Sequence, residues 1–342
     1  MTRLSGEAGH LRAHTHTQQT SKTGLLGIDI GGTKTAIVLS RSAPNVLWRG
    51  EFETLPTLGA DHALEKIVTL ARCGVAQTGC TPTAIGVSCG GPLDRVRGII
   101  QRPPNLPTWG DIPIKDILQQ KFGVPCFVEN DANAGAVAEN QFGAGKGCRH
   151  MVFLTMGTGL GAGLILNGRI FHGANAMAGE IGHVRLSDSG PMGYGKAGSV
   201  EGWASGGGMA QHAAWSVQEA LQAGQFTMLT ASLPYVTARD VGQALLAGDA
   251  VAAQIVHRTG RRLGEVLAIL VDVLNPHRIV IGGLALRLGD ALLEPARQRM
   301  REEALADAAA VCEIVPAALG ERIGDVAALC VAMGLHADPD EA

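Results

Sequence analysis

The run Leu25-Leu26-Gly27-Ile28-Asp29-Ile30-Gly31-Gly32-Thr33-Lys34-Thr35-Ala36-Ile37-Val38-Leu39 sets one acid and a glycine turn between two apolar strands. A buried strand that ends in Asp and Gly-Gly-Thr exposes backbone N–H groups in a tight turn. Such a turn wraps phosphate oxygens without side chains intruding. The carboxylate of Asp29 cannot face phosphate unaided, so it implies an intervening divalent cation. Mg²⁺, a hard ion that keeps several waters and bridges nucleotide phosphates, fits best. The plain alternative is a structural hairpin with a Gly-Gly turn.

A second copy of the pattern tips the balance toward function. Met151-Val152-Phe153-Leu154-Thr155-Met156-Gly157-Thr158-Gly159-Leu160-Gly161-Ala162-Gly163-Leu164-Ile165-Leu166 is again strand, glycine turn, strand. Two such hairpins about 120 residues apart indicate two related lobes, each offering a phosphate-gripping turn to one cleft. Gly157-x-Gly159 does not open a dinucleotide fingerprint. That motif needs a helix after the glycines, and here strand, turn and strand continue through Ile170.

At 342 residues the chain is long enough for two domains of ordinary size, and 46% apolar residues supply their cores. A formal charge of −3 gives no electrostatic reason to expect nucleic acid or an anionic membrane as partner. The 47 glycines, about twice the usual ~7%, point to turns that approach a ligand. Seven scattered cysteines without a Cys-x-x-Cys pair read as free thiols of a cytoplasmic protein. No apolar run approaches the ~18 residues of a membrane span. The first 23 residues lack a signal-peptide core and read as a solvated tail, despite His10, His14 and His16.

Along the chain, a third strand is expected from Leu47 to Thr54 and an amphipathic helix from Ala60 to Gln77. Ala84 to Ser88 is a buried strand that runs into a turn, Cys89-Gly90-Gly91-Pro92. A proline-rich stretch with Asn105 and Trp109 reads as the lip of a small-molecule site or as a surface connection, followed by a helix over 114–122. Val124 to Val128 is a strand that ends in Glu129-Asn130-Asp131 before a helix of small residues. A carboxylate at that junction lies near the positive end of the helix dipole and stays ionised. The simpler role is an N-cap, and the two are compatible. Asp131 aimed into a cleft would accept a proton from an alcohol.

Glu180 and His183, flanked by glycines, offer an acceptor and a donor suited to neighbouring hydroxyls; a structural histidine is the competing reading. A glycine-rich loop from Ser187 to Ser199 closes at Glu201, before a helix beginning near Trp203. Helices over 238–246 and 249–274 precede a strand over 278–281 that turns at Gly282-Gly283. Helix is expected over 292–306, strand over 311–315, and a final alanine-rich helix over 324–336.

In this order the motifs resemble the ROK family of repressors, open reading frames and sugar kinases. The motifs are Asp29-x-Gly-Gly-Thr-Lys34, Asn105-Leu106 before Trp109, Glu129-Asn130-Asp131-Ala132-Asn133, Gly157-Thr158-Gly159, Gly179-Glu180-x-Gly-His183 and Gly282-Gly283. The resemblance implies an α/β, two-lobed actin-like ATPase (ribonuclease H-like) sugar kinase fold with a cleft between the lobes. The small lobe would span 24–131, joined by the C-terminal helix 320–336, and the large lobe 132–319, after the 1–23 tail. It further implies ATP and Mg²⁺ on one side and a hexose or N-acetylhexosamine on the other, with the 6-hydroxyl as acceptor. Asp131 matches the general base. Gly91, Asn105, Asn130, Glu180, His183 and Glu201 match the sugar side. Gly31, Gly32, Thr33, Lys34, Gly157, Thr158 and Gly159 match the phosphate turns and Gly283 the adenosine side. Asp29 would face Mg²⁺ through water or nucleotide. A homodimer is the family's usual assembly.

The chain departs from the family in one stretch. Relatives commonly carry three zinc-binding cysteines after the Glu-x-Gly-His element, where this chain has Met192, Tyr194 and Ser199. His183 alone cannot rebuild a tetrahedral site, so zinc is not expected, and the loop 190–198 is expected to be more mobile than in zinc-bearing relatives and to order on sugar binding. Gly90 replaces a common proline, which would loosen that turn. The rival is a non-catalytic sugar-sensing or sugar-binding ROK protein. A DNA-binding member would need a helix-turn-helix ahead of Asp29, and the 28 preceding residues are few and polar for one.

Overall fold

The computed structural model describes residues 22–337. The tail expected at the N-terminus therefore lies outside the described residues up to residue 21, its three histidines included, and Thr23 already begins the first strand. In chain order the first half contains β1 (Thr23–Ile30), β2 (Lys34–Ser40), β3 (Trp48–Glu53), α1 (Gly59–Thr78) and β4 (Thr81–Cys89). A small meander follows, of β5 (Leu93–Asp94), β6 (Ile99–Gln101) and β7 (Asp111–Ile112). Then come α2 (Ile114–Phe122), β8 (Cys126–Asn130) and α3 (Asp131–Phe142). The second half contains β9 (Met151–Met156), β10 (Leu160–Leu166), β11 (Arg169–Ile170), the two-residue strands β12 (Met192–Gly193) and β13 (Lys196–Ala197), and α4 (Val200–Ala204). It continues with α5 (Gly206–Gln222), α6 (Ala238–Leu246), α7 (Ala250–Leu274), β14 (Arg278–Ile281), α8 (Leu284–Leu288), α9 (Asp290–Glu303), α10 (Ala306–Val311), β15 (Glu313–Pro316) and α11 (Ile323–Ala332).

The two hairpins seed two sheets of the same design. One runs β3-β2-β1-β4-β8 and the other β11-β10-β9-β14-β15. In each, the hairpin pairs antiparallel, its first strand pairs parallel with the next strand of the sheet, and that strand pairs parallel with the last. Parallel strands point their carboxyl ends the same way, and ligands of open α/β sheets bind beyond those ends. Asp29, Gly90, Asn130, Gly157 and Gly283 all lie at such ends.

Glycines inside the strands let helices press on the sheets. A Cβ at Gly86 on β4 would collide with the backbone of Ala328 and Ala332 in α11, and one at Gly27 would lie 3.1 Å from the Ala328 Cβ. In the other sheet Gly163 on β10 admits α3, where a Cβ would lie 2.5 Å from the Ala132 carbonyl oxygen. The helices α3 and α11 pack on each other between the sheets. Their shared core includes Ala134, Val137, Phe153, Val280, Val326 and Val331.

Several boundaries differ from expectation, and the helix expected over 292–306 ends at Glu303. The helix near Trp203 is two helices, because Ser199 and Ser205 each cap a start by accepting the N–H of Gly202 and Gly208. The strand expected from Val311 begins at Glu313, since the preceding alanines keep Val311 helical. The last helix ends at Ala332, with turns through His336.

Candidate active site

The first glycine turn is closed by Gly31 N–H donating to the Lys34 carbonyl at 3.0 Å and is braced by Thr54. The Thr54 hydroxyl donates to the Gly31 carbonyl at 2.7 Å, so in its 2.9 Å bond with the buried Thr35 it must accept. Gly32 abuts the proline-rich stretch: a Cβ there would lie 2.7 Å from the Asn105 carbonyl oxygen. That stretch is not an aromatic lip. Leu106 and Trp109 are buried in the small-lobe core, each contributing ~2–3 kcal/mol of burial, and they leave Asn105 exposed beside Gly90. The second turn is closed by Gly157 N–H to the Gly159 carbonyl at 3.0 Å, and the start of α5 docks on it through Gly206 and Gly207 N–H. Gly283 has φ +65°, and a Cβ there would run into the Met156 carbonyl, which puts it beside Gly157.

Between the turns the carboxylates converge. Asp29 on β1 is pushed up to about 6, first by burial and then by the charge of Asp131; the Ser88 hydroxyl, from the paired position on β4, opposes the shift. Asp131, the first residue of α3, is open to the cleft yet ringed by protein, and that burial raises its pKa. Its Oδ1 accepts the Ala132 N–H at 2.8 Å. The cap itself is Asn130, whose Oδ1 accepts from Ala132 and Asn133 at 2.9 and 3.3 Å, while its Nδ2 lies beside Gly91. Glu180 is also raised, by burial and by the charges of Asp131 and Glu201, against the opposing His183. Several carboxylates crowded this closely favour a cation or protons between them. Lys34 lowers Asp29 only slightly from an exposed position beside Glu51.

Glycines also place the loop that bears Glu180 and His183. Cβ atoms at Gly179 and Gly182 would collide with the carbonyls of Ala162 and Leu160 on β10. Glu201 sits closer to the second turn than a purely sugar-side residue would, because its Oε2 accepts the Leu160 N–H at 3.1 Å. These contacts bring Asn105, Asp131, Glu180, Glu201 and Gly283 close to one of the two glycine turns or to one another. Thr54, Ser88 and Gly324 were missed. Gly324 opens α11 against the Asp29 carboxylate, where any Cβ would collide with Oδ2.

The residues at the expected zinc positions do not suit a metal. Ser199 Oγ is spent on the Gly202 N–H, Tyr194 is exposed and stacks edge-on to His183 at 6.1 Å, and Met192 is exposed. The loop has its own internal bonds. β12 and β13 form a hairpin, Lys196 Nζ donates to the His183 carbonyl at 2.7 Å, and Gln211 bonds both backbone groups of Met192 at 2.8 Å.

Two duplicated α/β lobes facing one acidic, glycine-walled cleft define the two-lobed actin-like ATPase fold. Residues 25–334 match the ROK family model, and the chain belongs to the ROK family. A glucokinase from Halalkalibacterium halodurans is 35% identical over 87% of this chain and 92% of its own length. A ROK family glucokinase from Streptomyces griseus, solved with glucose and AMPPNP, is 30% identical with a TM-score of 0.76, covering 91% of this chain and 99% of that one. A ROK family transcriptional regulator homologous to the E. coli MLC protein is 25% identical with a TM-score of 0.81, covering 93% of this chain and 79% of its own. No helix among the described residues is long and apolar enough to cross a membrane.

Proposed function

We infer that this protein is an ATP- and Mg²⁺-dependent sugar kinase acting on a hexose or N-acetylhexosamine, with the 6-hydroxyl as acceptor. The observation that carries the reading is Asp131, an acid whose pKa burial raises at the start of α3, set between two glycine turns and close enough to Asp29 for its charge to raise the Asp29 pKa. Asp131 takes the proton of the acceptor hydroxyl, and its raised pKa makes it a better base. Asn105, Asn130, Glu180 and His183 orient the sugar. The N–H groups of Gly31 to Lys34 and Gly157 to Gly159 hold the phosphates in line. Mg²⁺, facing Asp29 through water or nucleotide, neutralises phosphate charge when bound. The glucokinase relatives support glucose as the first sugar to try.

The test is ADP release from ATP and Mg²⁺ across hexoses and N-acetylhexosamines. Strong turnover with a sugar supports the kinase. No turnover, together with sugar-induced thermal stabilisation, supports a sensor instead, the reading favoured by the likeness to a regulator.

Two further outcomes are expected. His183→Ala should raise the KM for sugar by about 10–100-fold and leave the KM for ATP unchanged, because only a hydroxyl partner is lost. An equal rise in both constants would remove His183 from the sugar side. Zinc should play no part: dialysis against a chelator should leave both metal content and melting temperature unchanged. One tightly held zinc per chain would contradict this.

A further inference from the structure

Glu129 and His172 are buried ionisable groups with no part in the chemistry above. Glu129 is 1% exposed, and its carboxylate is saturated. Oε1 accepts the Asn130 backbone N–H at 2.9 Å and Asn133 Nδ2 at 3.1 Å. Oε2 meets Arg95 Nε at 3.2 Å and His172 Nε2 at 2.8 Å. Arg95 follows the Gly91-Pro92 turn in the small meander. His172 opens the loop that runs to Gly179 and His183, and its carbonyl accepts the Ala178 N–H at 3.0 Å. One side chain therefore joins the small-lobe sugar wall, the Asn130-Asp131 turn and the large-lobe sugar loop.

The protonation follows from the partners. His172 Nδ1 is buried without a hydrogen-bond partner. A neutral ring with its proton on Nε2 leaves only an orphaned acceptor there, whereas a protonated ring would strand a charged N–H. His172 is thus the donor and Glu129 the ionised acceptor, paired with Arg95. Burial alone would raise the Glu129 carboxyl, but the His172 hydrogen bond, with the Arg95 charge beside it, holds it below its usual range. Asp131, by contrast, is anchored by the backbone N–H groups at the start of α3, that of Ala132 and its own, so its aim is set by the turn that Glu129 holds.

We propose that Glu129 and His172 form an interlobe clamp of positioning residues, which orients Asp131 according to the seating of the sugar loop. The proposal rests on the kinase reading above. His172→Leu removes the bond, and His172→Gln restores a donor near the same place. The leucine variant should lose about 10–100-fold in kcat with the KM for ATP unchanged. Its acid limb of kcat/KM should move to lower pH, because a loosened turn admits water to Asp131. The titratable groups facing Asp131 are Asp29 on β1, Cys89 at the end of β4 and Glu180 on the sugar loop, and none of them is altered. Hydrogen exchange over 128–134, measured without substrate, should rise in the leucine variant, and the glutamine variant should restore all three readouts. A leucine variant that merely melts earlier, with kcat, pH limb and exchange unchanged, would assign His172 to fold support and overturn the clamp. If the wild type turns over no sugar, the kinase reading fails, and the exchange measurement alone decides whether the clamp exists.

Discussion

Asp131→Asn should lower kcat with the best sugar by about 10²–10⁴-fold, while the KM values for ATP and sugar change little. The carboxamide is isosteric, and its oxygen can still accept the Ala132 N–H that Asp131 holds at 2.8 Å, so the start of α3 is preserved. Only the proton acceptor is lost. The remaining rate would come from positioning and charge neutralisation, which do not depend on this group. The pH dependence separates this from general damage. Wild-type activity should fall as pH drops through the Asp131 pKa, which burial places above the ordinary carboxylate range. The variant's residual activity should lack that limb. Turnover at the wild-type rate, or an unchanged acid limb, would remove Asp131 from the role of base.

The parts of this site that were legible in the sequence are those where backbone chemistry and local order coincide. A Gly-Gly-Thr turn between apolar strands can be recognised locally, and its second copy at Gly157 to Gly159 announced the duplication that the two sheets carry out. Asp131 was legible because a strand end meets a helix start there. Glu129, its neighbour but one, read only as the end of a strand. Its partners Arg95 and His172 lie 34 and 43 residues away, and only the packed lobes bring them together. Trp109 misled for the opposite reason. An aromatic in a proline-rich stretch resembles a binding lip, but with Leu106 it anchors the stretch in the core so that Asn105 can face the cleft. The glycine count gave no hint that Gly27, Gly86 and Gly163 serve helix packing and not ligand contact, since tertiary approach leaves no local pattern.

The same crowding of carboxylates yields the second large effect, at Asp29. Asp29→Asn should abolish Mg²⁺-dependent turnover, yet raise the melting temperature of the ligand-free protein at neutral pH. In the folded state burial and Asp131 push the Asp29 pKa from 3.8 up to about 6. The fold therefore holds this proton more tightly than the unfolded chain does. The sign follows: stability is unpenalised below the unfolded pKa, falls as pH rises between roughly 4 and 6, and stays reduced above that. A shift of this size corresponds to about 3 kcal/mol at most, or several degrees in a chain of this length. The neutral carboxamide escapes the penalty and can still accept the Ser88 hydroxyl. The stability difference between variant and wild type should accordingly be largest near pH 7.5 and vanish toward pH 4. Mg²⁺ with nucleotide should reverse the order, stabilising the wild type and leaving the variant unmoved, because a cation near Asp29 offsets the charge that the empty cleft must tolerate. Coupling gives a further check: in an Asp131→Asn background the gain from Asp29→Asn should shrink, since the neighbouring charge that raises the Asp29 pKa is already gone. A gain independent of pH would mean that the substitution acts through packing, and a variant less stable than wild type at pH 7.5 would show that Asp29 is not under electrostatic strain.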